Sequence, residues 1–237
     1  MEHSTRASRT PRTTRTTLIN RKLPNYTKGE ELFNTVSHIV GGGLSLAALA
    51  LCLAAAILYG SVWSIVAGAI YAGSLILLYT MSSLYHGLKP VTAKKVFQVI
   101  DHCSIFLLIA GTYTPLLLCN LRPSYPALAW GLMALVWGCA VLGITLNSID
   151  IKKYAKFSMI AYLGMGWSAV LALKQFASIL PLPAIILIFL GGIFYTSGAI
   201  IYGLGKKHKY MHGIFHVFVV IGSVTHFFAI VLYSLPK

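Results

Sequence analysis

Two histidines near the start of the last apolar run of this sequence are spaced for metal binding. The segment "HGIFH" places His212 and His216 four residues apart. In a helix both imidazoles project from one face, about 6 Å apart, and at that separation they can share one metal ion. An isolated HxxxH pair also occurs in ordinary packed helices, so further ligands are needed to predict a site.

A third histidine and a carboxylate are expected at the same level of the membrane. His86 ends the second apolar run in "SSLYH", and Asp101 stands at the start of the third. The second run should end, and the third and last runs should begin, at the same membrane face, so both residues lie with the HxxxH pair within about two helical turns of that face. Three imidazoles with a carboxylate or a water form a nitrogen and oxygen site for which Zn²⁺ is the leading candidate. The sequence therefore predicts a zinc site of His86, His212, His216 and Asp101.

Asp101 is expected to be the one acidic residue that enters a span. The other four are expected in the tail or a loop: Glu2, Glu30, Glu31 and Asp150. An ionisable group inside a span costs on the order of 3 kcal/mol, so a partner and a purpose are expected for it. Asp101 is placed in the first turn of the third span, where the helix N-terminus favours an anion. A helix cap or a salt bridge to Lys94 or Lys95 is the alternative interpretation.

Other polar positions have weaker signals. Ser82 lies one helical turn from His86 and could donate a hydrogen bond to a carboxylate or a substrate, although ordinary helix packing explains it nearly as well. His226 is ten residues beyond His216, about 15 Å along a helix, too far to reach the same ion. It is expected to bond a neighbouring helix or to line a cavity. His38 and His102 are expected near the site, as supporting or interfacial residues.

These residues are positioned by membrane-spanning helices. The chain is 57% hydrophobic and only 10% charged, too little polar surface for a compact soluble domain. Continuous apolar runs are typical of α-helical spans and lack the alternation of a membrane β-barrel. We predict an all-α integral membrane protein, a seven-transmembrane helix bundle. The predicted spans are about 36–58, 62–85, 98–118, 127–146, 157–173, 182–204 and 211–232, the fifth being the shortest.

The distribution of basic residues predicts how the bundle is oriented. The formal charge is +14, and sixteen of the 19 Lys and Arg residues fall in the N-terminal tail or in every second connection. The positive-inside rule then places the N-terminus in the cytoplasm and the C-terminus outside. The charge is a signal of topology and of contact with anionic lipids, and nucleic acid is not an expected partner.

Two domains are predicted. Residues 1–28 form a disordered basic tail, because "TRASRTPRTTRTT" has almost no apolar residues; an organelle transit sequence is the alternative. Residues 29–237 form the transmembrane domain. The four cysteines show no CxxC spacing, and neither disulfides nor a thiolate metal site is expected.

The ordered set of motifs resembles the hemolysin III family, the bacterial branch of the progestin and adipoQ receptor (PAQR) superfamily, which is distantly related to alkaline ceramidases. The resemblance covers residues 29 to 237. It is carried by "ELFNTVSH" at 31–38, "SSLYH" at 82–86, "DHCSIFLLIAGTYTP" at 101–115 and "HGIFH" at 212–216.

This resemblance implies a seven-helix bundle in the bacterial inner (plasma) membrane with its N-terminus inside. It also implies a zinc ion near the cytoplasmic face, held by His86, His212 and His216, with Asp101 associated through a water. Three protein ligands leave one position open for water, which is typical of a catalytic zinc site.

Three functions are compatible with the sequence. The first is zinc-dependent hydrolysis of an amide or ester bond in a membrane lipid, with Asp101 and Ser82 as catalytic residues, serving membrane lipid homeostasis. The second is a non-enzymatic membrane sensor or homeostasis protein in which zinc is structural. The third is a cytolysin, as the family name implies, although no span carries the polar stripe expected of a pore.

Overall fold

The structure, a computed structural model, describes residue 18 and residues 20–205 and 208–236. Over these residues the chain forms seven helices that are long and apolar enough to cross a membrane. They are α1 (Lys28–Tyr59), α2 (Val62–Gly87), α3 (Val91–Ser124), α4 (Pro126–Asp150), α5 (Ala155–Ile179), α6 (Leu182–Leu204) and α7 (Met211–Tyr233). The predicted all-α architecture with seven spans is confirmed.

The first helix begins about two turns earlier than the apolar pattern predicts. Thr27 caps it: the Glu30 backbone N–H donates to Thr27 Oγ1 at 3.3 Å, and the Thr27 backbone N–H donates to Glu30 Oε2 at 2.9 Å. This reciprocal pair satisfies amide groups that a helix start leaves without partners. Glu30 and Glu31, which were expected outside the spans, are therefore part of the first turn of α1. Asp150, also expected in a loop, is the buried last residue of α4.

The third helix also begins early, at Val91, directly after Pro90. Asp101 thus lies ten residues inside α3, and its predicted place in the first turn is wrong; the terminal backbone amides are too far away to stabilise its charge. Pro115 ends the regular part of α3, and a buried π-helical turn, Leu116–Leu121, follows it. Proline removes one backbone hydrogen bond, which accounts for the change of winding at this point.

The fifth helix is the least regular; it was predicted over 157–173 as the shortest span, but with 25 residues it is longer than α6 and α7. It runs as an α-helix over Ala155–Gly166, as a 3₁₀ segment over Ser168–Ala172 and again as an α-helix over Leu173–Ile179. It packs sparsely against α6, whereas α1 packs closely on α2, and α6 on α7. The loose packing around α5 leaves room for a cavity inside the bundle.

The connections bring the candidate ligands to one end of the bundle. His86 is the next-to-last residue of α2, and His212 is the second residue of α7. Residues 1–17 and Ile19 of the predicted basic tail lie outside the described residues. At the inner end of that tail Arg21 is buried, and its guanidinium donates a hydrogen bond to the Lys95 carbonyl.

Candidate metal centre

Three imidazoles converge at the end of the bundle where α2 stops and α7 starts. One ring nitrogen from each of His86, His212 and His216 lies within 4.8 Å of the other two. His212 Nε2 is 3.1 Å from His86 Nε2 and 3.1 Å from His216 Nε2. His86 and His216 are each only 2% exposed. The predicted convergence of these three histidines is confirmed, and the cluster could hold a metal ion.

A contact with the first helix selects the tautomer of His86. Glu31 Oε2 lies 2.7 Å from His86 Nδ1, and because a carboxylate only accepts, the Nδ1–H donates. A neutral imidazole protonated at Nδ1 carries a lone pair on Nε2, the atom that faces the other two histidines. Imidazoles that bind metals usually donate their second N–H to a carboxylate or a carbonyl in this way.

A contact with the first helix selects the tautomer of His216 as well. His216 Nδ1 lies 3.2 Å from the backbone carbonyl of Asn34, so it too must donate. The Nε2 lone pairs of His86 and His216 therefore both point toward His212 Nε2. A proton on His212 Nε2 could satisfy only one of these two contacts, whereas a cation between the rings would accept all three lone pairs. The residues present therefore fit a metal ion.

Glu31 is a site residue that the sequence reasoning missed. Its other carboxylate oxygen, Oε1, accepts a hydrogen bond from Lys94 Nζ at 2.5 Å. Lys94 also donates to the His86 carbonyl at 3.2 Å, which ties α3 to the end of α2. The signal was present in the ExxN part of "ELFNTVSH", where Glu31 and Asn34 are three residues apart and therefore share one helix face.

Asp101 lies close to the triad without joining it. The cluster of possible ligand atoms contains the three histidines and does not include Asp101. The Asp101 carboxylate is 3.3 Å from His102 Nδ1, and the Ser82 side chain lies beside it. The buried Ser82 Oγ has no well-aligned hydrogen-bond partner among the described residues. Both side chains thus border the site.

Two aromatic contacts enclose the histidines. The Tyr26 ring stacks on the His212 ring, with centroids 5.3 Å apart, and burial raises the pKa of the Tyr26 hydroxyl above its usual value, so the phenol stays neutral. His38 stacks on His216, with centroids 3.6 Å apart and an interplanar angle of 14°. Both ring nitrogens of His38 are buried without a hydrogen-bond partner in the described part of the chain. His38 therefore packs directly on the candidate ligand His216.

A cavity of about 750 Å³ adjoins the metal centre and extends into the bundle between α3, α5, α6 and α7. Its wall is mainly apolar, and polar side chains line it near the three histidines, around the start of α5, where Lys152, Lys156 and Ser158 lie, and farther along α6 and α7. The polar residues at the metal centre are His38, Ser82, Asp101, His212 and His216. Its volume lies within the range of small-molecule binding pockets.

Comparison with known proteins agrees with this arrangement. Residues 26–227 match the family described as Haemolysin-III related. Hemolysin-3 of Bacillus cereus is 38% identical over 207 residues, covering 87% of this chain and 93% of the relative. The Hemolysin-3 homolog of Bacillus subtilis (strain 168) is 38% identical over 208 residues, covering 88% and 96%. The monocyte to macrophage differentiation factor of Homo sapiens is 27% identical over 173 residues, covering 71% and 70%.

The match with the family extends over the helices that carry His86, His212 and His216, and over Glu31 and Asn34. The mammalian relative supports the link to the wider PAQR superfamily. Seven apolar helices and bacterial relatives are typical of a multi-pass protein of the bacterial inner membrane. The chain is an integral membrane protein that belongs to the hemolysin III family.

Proposed function

We propose that this protein binds Zn²⁺ through His86, His212 and His216 and hydrolyses an amide or ester bond of a membrane lipid, in the service of membrane lipid homeostasis. The observation that carries the proposal is the cavity, because one space borders two of the imidazoles, the Asp101 carboxylate and the Ser82 hydroxyl and continues along apolar side chains.

The spacing of the imidazoles suits zinc. Ligand nitrogens of a tetrahedral zinc site, at about 2.0 Å from the ion, are separated by roughly 3.3 Å. The two Nε2 pairs of the triad are 3.1 Å apart. When bound, zinc would supply a Lewis acid that lowers the pKa of water and polarises a carbonyl. The Glu31 carboxylate and the Asn34 carbonyl would keep two of the rings in the tautomer that binds metal.

The chain's own residues can carry the proton transfers. Asp101 would accept a proton as water adds to the carbonyl carbon, and would return it to the amine or alcohol that leaves when the C–N or C–O bond breaks. Its direct neighbour His102 keeps the carboxylate in place. Ser82, whose hydroxyl lies beside the Asp101 carboxylate, would donate its hydrogen to the carbonyl oxygen as negative charge develops there.

The test is turnover of lipid amides and esters by the purified protein with zinc. Metal-dependent release of fatty acid is expected. Asp101→Asn should abolish it while zinc content is kept, and Ser82→Ala should lower the rate about 10²-fold. Absence of metal-dependent product over a broad lipid panel would contradict the hydrolase proposal.

The second candidate is a non-enzymatic membrane sensor or homeostasis protein. It is favoured by one observation: the triad joins α2 to α7, and His86 and His216 are each hydrogen-bonded to α1. A bound ion would therefore hold three spans together. In that case chelation would lower thermal stability, and no lipid in the panel would be hydrolysed. A cytolytic activity is suggested only by the names of the family and of its Bacillus relatives; release of dye from liposomes by the purified protein would reveal it.

A further inference from the structure

The far part of the cavity contains a second polar pair, His226 of α7 and Tyr195 of α6, which the proposed chemistry does not use. Each side chain occupies a space left by a glycine of the opposite helix. A Cβ at Gly191 would lie 2.1 Å from His226 Cδ2, and a Cβ at Gly222 would lie 3.1 Å from the Tyr195 ring. The two rings, with centroids 5.4 Å apart, are therefore held in place by reciprocal notches between α6 and α7.

The imidazole of this pair presents a hydrogen-bond acceptor. His226 Nε2 lies 2.9 Å from the Ile188 carbonyl, so the Nε2–H must donate and Nδ1 carries the lone pair. Nδ1 is buried and has no hydrogen-bond partner among the residues that the structure describes. A buried acceptor without a partner is costly, so a donor from a bound molecule is expected there.

The phenol of the pair can present a donor. Tyr79 Oη donates to Ser223 Oγ at 2.7 Å, and Ser223 Oγ lies 2.7 Å from Tyr195 Oη. Because Ser223 already accepts from Tyr79, its own hydrogen can be donated to Tyr195. The Tyr195 O–H is then left to donate elsewhere. Tyr195 and His226 both line the cavity, so this donor and acceptor border one space.

We propose that Tyr195 and His226 form a binding site for a hydroxyl group on the hydrocarbon chain of the lipid. A hydroxyl on the chain can both accept from Tyr195 and donate to His226 Nδ1, whereas a carbonyl or ether oxygen can only accept. His226 lies ten residues beyond His216, so the chain hydroxyl is about 15 Å from the metal centre. The inference rests on the proposed function, because it specifies the class of lipid as one that is hydroxylated in mid-chain.

Binding of free fatty acids tests the site without requiring turnover. Purified full-length protein, loaded with zinc, is titrated in micelles with 12-hydroxystearic acid, stearic acid and 6-hydroxystearic acid. Two buried hydrogen bonds should make 12-hydroxystearic acid bind about tenfold more tightly than stearic acid. The hydroxyl of 6-hydroxystearic acid is too close to the carboxylate to reach Tyr195 and His226, so this acid should bind no more tightly than stearic acid. Equal binding of all three acids would overturn the proposal and would indicate that water alone occupies the site.

Two variants keep the test independent of misfolding. Tyr195→Phe removes a single oxygen and His226→Phe keeps a ring in the Gly191 notch, and both should lose the preference while stearic acid binds as before. Thr225→Val is the control, since Thr225 donates to the Ile221 carbonyl of its own helix and does not border the cavity. A preference that survives in both variants would overturn the proposal. A preference without any hydrolysis would support this site and contradict only the hydrolase proposal.

Discussion

Glu31 of the first span and His86 of the second are joined by a hydrogen bond of 2.7 Å from the imidazole Nδ1 to the carboxylate. The same carboxylate accepts from Lys94 at the start of the third span. One acidic residue thus fixes the ring of a candidate metal ligand and ties together the ends of three helices. The contribution of Glu31 to metal affinity can be measured separately from that of the three histidines.

Replacing Glu31 by Ala should weaken zinc binding about 10- to 100-fold, because His86 loses the acceptor that selects its metal-binding tautomer. The dissociation constant can be measured by competition with a chelator of known affinity.

Glu30→Ala is the matched control for that measurement. Glu30 bonds Thr27 and the backbone N–H of Tyr210 and makes no contact with the triad. Loss of this cap should destabilise the protein by about 1 kcal/mol and leave zinc affinity unchanged. Equal loss of zinc affinity in the two variants would show that any disturbance of the start of α1 weakens binding, and would contradict a specific role for Glu31.

Removal of one ligand should empty the metal centre. His86→Ala and His212→Ala each leave two imidazoles, which are too few to retain zinc through purification. Metal content per chain, measured by mass spectrometry of the digested protein, should fall to background in both. His208→Ala changes an exposed histidine of the connection before α7 and should keep the wild-type content. Full metal content in the triad variants would mean that zinc binds elsewhere.

Chelation should lower the thermal stability of the protein. An ion that binds only the folded state at a concentration of about 1,000 times its dissociation constant contributes about 4 kcal/mol. The unfolding temperature should therefore drop when zinc is removed and recover when zinc is added back. Magnesium should not restore it, since this cation prefers oxygen ligands to imidazole nitrogen. An unchanged unfolding temperature would contradict the idea that the ion joins α2 to α7.

Close helix packing at α4 can be tested with two glycines of that helix. A Cβ at Gly143 would lie 2.1 Å from Cζ of the buried Phe106 ring, so Gly143→Ala should destabilise the bundle by about 1 to 3 kcal/mol. A Cβ at Gly138 would have no neighbouring residue within 4 Å, so Gly138→Ala should be neutral or slightly stabilising. Unfolding midpoints in detergent compare the two. A loss of stability with Gly138→Ala as large as that with Gly143→Ala would contradict this account of the contact.

Much of the architecture follows from the sequence because it depends on local properties. Apolar length is a property of each segment, so seven spans could be counted without knowing their neighbours. The HxxxH spacing places His212 and His216 on one face wherever this segment is helical. The order of the helices then brings His86 to the same end of the bundle, since α2 finishes where α7 begins.

The tertiary structure decided what depends on contacts between distant segments. It placed Glu31 against His86, put Asp101 beside the triad, and opened a cavity between α3, α5, α6 and α7. It also set Tyr195 and His226 in each other's glycine notches. Hydropathy cannot reveal these relationships, because hydrogen-bond direction and cavity shape depend on how helices pack, which no single segment specifies. The sequence by itself determined which side chains were available, and the packing of the helices determined which of them meet.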